Sequence, residues 1–82
     1  MAREFSDVLT KILNACPGSV LHTKLEESVP YWAPEILWYN LTRYVNNYMT
    51  PNSKDDVAVK VYAILCDKTE EEMRADFVSK GY

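Results

Sequence analysis

Apolar residues recur along this chain at spacings of three and four. Between residues 4 and 15 they are Phe5, Val8, Leu9, Ile12 and Leu13, at i, i+3, i+4, i+7 and i+8. That spacing lines one face of an amphipathic helix. Pro17 disfavours helical geometry at Cys16, and Gly18 completes the stop. Ser19 suits the cap of a second helix over 19–29, with Leu21, Leu25 and Val29 inward. The run Ser19-Val20-Leu21-His22-Thr23 also reads as a strand.

Pro30-Tyr31-Trp32-Ala33-Pro34 breaks the periodicity. Pro34 fits the first turn of the next helix, and Glu35 complements the positive end of its dipole. Over 34–49 the spacing predicts a helix with Leu37, Leu41, Tyr44 and Tyr48 inward and Trp38, Val45 and Met49 on a neighbouring stripe. Thr50-Pro51-Asn52 ends it. Ser53 then reads as an N-cap, with Asp55 and Asp56 in the first turn of a helix over 54–67. Val57, Val61, Ile64 and Leu65 form a helical stripe there, yet Val57 to Tyr62 also alternates and is rich in β-branched residues. The cap and the length favour a helix, and its wide apolar arc places it at the centre of the molecule. Thr69 and Glu72 stand at capping-box spacing before a last helix with Met73 and Phe77 inward, Lys80 near its end and Gly81 past it.

With only two glycines to make sharp turns, the expected architecture is all-α. It is a compact bundle of about five short helices in a single helical domain spanning 1–82, with 57–65 the segment that also fits a strand. The stretch Ile64 to Phe77 resembles a helix–turn–helix stretch near the end of Skp-type proteins, over 14 of the 82 residues. Capping-box chemistry generates the same pattern, and no function is carried over from the resemblance.

Composition narrows the function classes. The chain has 82 residues with 9 Lys plus Arg against 12 Asp plus Glu, a net charge of −3. An acidic chain does not coat nucleic acid by bulk charge, so a nucleic-acid partner is not expected. No apolar run reaches the roughly 20 residues that cross a bilayer, and the charged start Met1-Ala2-Arg3-Glu4 lacks the apolar core of a signal peptide. A cytoplasmic location without membrane contact is the expectation. Cys16 and Cys66 are the only cysteines and are expected to be reduced, packed thiols.

Enzyme chemistry finds little to work with. Two glycines leave no phosphate-cradling loop. His22 is the only histidine, and a thiol or metal reaction would need Cys16, His22 and Cys66 to converge. Structural zinc requires four ligands, usually in close pairs, so no metal and no other cofactor is expected. The consecutive acids Glu70, Glu71 and Glu72 splay around a helix and are explained by its dipole. No catalytic residue and no small-molecule substrate are assigned.

Residues 28–52 are different. They hold only two charges, Glu35 and Arg43, and six of the ten aromatics: Tyr31, Trp32, Trp38, Tyr39, Tyr44 and Tyr48. A small core does not need all six. Tryptophan, tyrosine and arginine bury large area at low entropic cost, which makes them frequent interface anchors. Tyr39 and Arg43, one helical turn apart, share a face, and Tyr31 and Trp32 lie in the proline-bounded loop before it. The sequence therefore points to a small non-enzymatic protein-binding module. It would act as an inhibitor, adaptor or regulator, with Tyr31, Trp32, Tyr39 and Arg43 contacting a larger protein or a second copy of the chain. The alternative is a helix-turn-helix DNA-binding regulator using 19–49, with Asn40, Arg43, Asn46 and Asn47 facing bases. Against it, that helix offers a single basic residue for phosphate anchoring.

Overall fold

The computed structural model describes residues 3–82. Five α-helices follow one another: α1 (Phe5–Ala15), α2 (Val20–Ser28), α3 (Leu37–Tyr48), α4 (Asp56–Cys66) and α5 (Glu70–Ser79). Single 3-10 turns at Val29–Tyr31 and Pro34–Ile36 bridge α2 and α3. The described residues hold no strand, so both segments with a strand alternative are helical. The shortest extent is 19 Å against 35 and 31 Å. That thickness is two helix diameters of about 10 Å, so the helices stack in two layers.

α4 is the hub. It packs on α1, on α5 and on α3, while α2 packs chiefly on α3. Its wide apolar arc explains this: Ala58, Val59, Val61, Tyr62 and Ala63 are all buried. Val57, expected on the inward stripe, is instead 43% exposed at the first turn of α4. Around the hub lie Val8 and Ile12 of α1, Leu21 and Leu25 of α2, Leu41 and Val45 of α3, and Met73 and Phe77 of α5. Phe77 meets Tyr62 edge-on, with ring centroids 5.4 Å apart. The Tyr62 hydroxyl lies 3.2 Å from both Asn46 Oδ1 and the Met49 carbonyl and shares its one proton between these two acceptors. It thereby ties the end of α3 to α4. Burial, with Cys66 and Tyr82 nearby, raises the Tyr62 pKa above the ordinary phenol value.

The helix ends follow local chemistry. Ser19 Oγ accepts from the His22 N–H, and Thr69 and Glu72 form a complete capping box. The cap of α4 is Asp55, whose carboxylate accepts from the N–H groups of Val57 and Ala58; Ser53, the expected cap, lies two residues too early. The helix expected over 34–49 opens with a 3-10 turn and becomes α-helical at Leu37. Gly18 and Gly81 sit at φ +76 and +84, the left-handed region that glycine enters without steric cost. Asp67 closes α4 at φ 57, a conformation that aspartate tolerates better than most side chains.

Two arginines stitch distant segments. The Arg3 guanidinium donates to the carbonyls of Ile64 and Leu65, the latter at 2.8 Å, and so ties the N-terminal segment to the last turn of α4. It also lies over the Trp38 ring, 5.5 Å from its centroid. Arg74 donates to the Ser53 carbonyl and to Asp56 Oδ1, fastening the α3–α4 loop to α5. Among the described residues no helix is long and apolar enough to cross a membrane.

Candidate protein-binding surface

α3 has one committed face and one open face. Leu41 and Val45 are fully buried, and Leu37, Tyr44 and Met49 are half-buried on either side of them. Val45, assigned from the sequence to a neighbouring stripe, is thus at the centre of the packed face. Tyr48, assigned inward, is 40% exposed at the end of the helix. α2 and α4 cover this side of α3. The other side presents Tyr39, Thr42, Arg43, Asn46 and Asn47, all exposed.

The four residues singled out in the sequence divide into two groups. Tyr39 and Arg43 come together as their spacing requires: the guanidinium lies 5.7 Å from the Tyr39 ring centroid, and the ring is 61% exposed. Tyr31 is the most exposed of the large hydrophobic residues, at 87%. Trp32 is turned the other way. It is half-buried against the core and meets Tyr44 edge-on at 4.9 Å. Its contact is with the second half of α3. The reason is the 3-10 turn Val29–Tyr31, whose closing bond from the Trp32 N–H to the Val29 carbonyl aims the indole inward.

The surface has members that periodicity alone did not single out. Ile36 is 39% exposed in the turn before α3, and Trp38 is 40% exposed beside Tyr39. Trp38 is engaged by Phe5, edge-on at 5.5 Å, and by Arg3. Glu35 is exposed in the 3-10 turn that precedes α3. The charge pattern of 28–52 was the one signal that could have marked Glu35. Asn46, one of the four residues considered for base contact, is exposed, and its side-chain oxygen faces the Tyr62 hydroxyl.

The residues considered for chemistry lie in separate settings. Cys16 is buried, with its thiol directed at the Ile12 carbonyl. His22 has Nδ1 at 3.0 Å from the Leu13 carbonyl and Nε2 at 3.0 Å from the Glu26 carboxylate, so its partners join α1 to α2 and brace α2 itself. Cys66, expected to be packed, is instead exposed, because it lies at the very end of α4. These contacts give the histidine no thiol partner. Among the described residues no group of three or more His, Cys, Asp or Glu side chains is placed to hold a metal ion.

Comparison with protein-family models, with curated proteins and with solved structures finds no match to this chain.

Proposed function

We propose that this chain is a small non-enzymatic protein-binding module of the cytoplasm, an inhibitor, adaptor or regulator that contacts its partner through the aromatic surface between residues 31 and 48. The observation that carries this reading is the Tyr39–Arg43 pair: an exposed aromatic ring with a guanidinium laid over it, on a helix face whose opposite side is fully packed. Such a pair is held in place before any partner arrives, so little side-chain entropy remains to be lost on binding. Tyr31 is displayed by the turn before α3, and Trp32 holds that turn against Tyr44.

The test is affinity capture with the full chain as bait, compared with Tyr39→Ala and Arg43→Ala baits that retain the wild-type circular dichroism spectrum. Loss of a hot-spot residue of this kind costs about 2 kcal/mol, or roughly thirtyfold in affinity. Proteins retained by the wild type and lost by both variants support the reading. An identical captured set from all three baits overturns it.

A further inference from the structure

We propose that the occupant of the open α3 face is a second copy of this chain, packed antiparallel about a two-fold axis at Tyr39. This rests on the binding-surface reading above and names its partner. Glu35 and Arg43 are the only charged residues in 28–52, and they stand four residues before and four residues after Tyr39. Both are exposed. An antiparallel pair of identical helices reverses the order of residues across the axis. Glu35 lies in the 3-10 turn that leads into α3, so centring that axis on Tyr39 brings the turn carrying Glu35 of each copy toward the Arg43 end of the other's helix, twice over, as a two-fold interface requires. A parallel arrangement would set like charge against like.

The rest of the surface favours the same approach. The whole net charge of −3 lies outside 28–52, because Glu35 and Arg43 cancel. Two copies of an acidic chain repel one another wherever their charged faces meet, and approach at least cost along the neutral strip. At its centre the two Tyr39 rings meet, each already held by its own Arg43. Ile36, exposed between Glu35 and the start of α3, adds apolar area beside the charge pair. α3 has 12 residues and spans about 18 Å. One helix pair of that length falls at the small end of specific interfaces, so the dimer is expected to be reversible, with a dissociation constant on the order of micromolar.

Sedimentation equilibrium across the micromolar range tests this with a charge-exchange set. The wild type should show a reversible monomer–dimer equilibrium. Glu35→Arg alone and Arg43→Glu alone should each weaken it roughly tenfold or more. The double variant E35R/R43E should recover most of the wild-type affinity. Mixing the two single variants, whose faces then carry opposite charge, should also restore association. Both positions are exposed, and circular dichroism at the assay concentration verifies that each variant is folded. A chain that stays monomeric throughout, or a dimer indifferent to the single exchanges, overturns the proposal. A monomeric chain that still captures another protein through Tyr39 overturns this proposal alone and leaves the binding-module reading standing.

Discussion

Trp32 packs edge-on against Tyr44, with ring centroids 4.9 Å apart and planes inclined by 63°. Tyr44 in turn leans on Tyr48 at 5.7 Å, so the proline-bounded turn is anchored along the second half of α3. Tyr31, one residue earlier, projects into solvent. Two adjacent aromatics thus serve opposite ends: one fixes the turn, and the other is displayed by it.

From this arrangement, Trp32→Ala and Tyr39→Ala should separate cleanly. The first removes a half-buried ring packed on the core and should lower stability by about 2 kcal/mol, below the range for a fully buried tryptophan. The second removes an exposed ring and should change stability by no more than about 0.5 kcal/mol. Urea unfolding midpoints decide both. A Trp32→Ala protein as stable as the wild type would mean that the indole is free and that the turn is held by other contacts.

The start of α4 offers a paired test of local chemistry. Asp55→Ala removes the acceptor for the Val57 and Ala58 N–H groups, at 3.1 and 3.2 Å, and should cost about 1 kcal/mol. Ser53 contributes backbone contacts here, its N–H to the Tyr82 carbonyl and its carbonyl to Arg74, and both survive substitution by alanine. Ser53→Ala should therefore be nearly neutral. Equal losses at the two positions would contradict the assignment of the cap.

α5 should make the protein sensitive to acid. The Glu72 carboxyl is held below the ordinary glutamate range, first by the Thr69 N–H and then by the Thr69 hydroxyl side chain. Asp76 is held low by the Lys80 ammonium, 3.0 Å away. A depressed folded-state pKa means stabilisation that is complete above the ordinary carboxylate range and is lost as pH falls through the lower folded value. The urea midpoint should therefore drop between about pH 7 and about pH 3. Glu72→Gln keeps an oxygen for the Thr69 N–H but cannot titrate, so its midpoint should fall less over the same interval. Thr69→Ala, which removes the other half of the box, should cost about 1 kcal/mol at neutral pH.

The two thiols should react at different rates. Cys66 is exposed at the end of α4, beside Lys80 and Tyr82 in an open cleft. Cys16 is only 2% exposed. A chromogenic disulfide reagent should titrate one thiol rapidly in the native protein and the second only on the timescale of unfolding. Cys66→Ser should abolish the fast phase. Two fast thiols would mean that the end of α1 opens readily.

The sequence by itself determined most of the helix faces and caps. Periodicity placed the faces of α1, α2 and α5, with Val8, Ile12, Leu21, Leu25, Met73 and Phe77 buried as their spacing requires. Capping chemistry placed Ser19 and the Thr69–Glu72 box, because a cap is satisfied within four residues and needs no distant partner. The Tyr39–Arg43 pair was legible for the same reason: residues one turn apart on a helix meet whatever else the chain does.

Tertiary structure decided what depends on neighbours far along the chain. The alternation of Val57 to Tyr62 suited a strand, but a strand needs a partner. Packing between α1 and α5 gave this segment a helical environment instead, with Val57 left outside it. The depths of Trp32, Val45 and Tyr48 were set by where α2 and α4 close over α3, which no local spacing encodes. Arg3 found its carbonyl partners 61 and 62 residues away, at the end of α4. Periodicity records which residues share a face of one helix; only the packing of all five determines which face is covered and which is left for a partner.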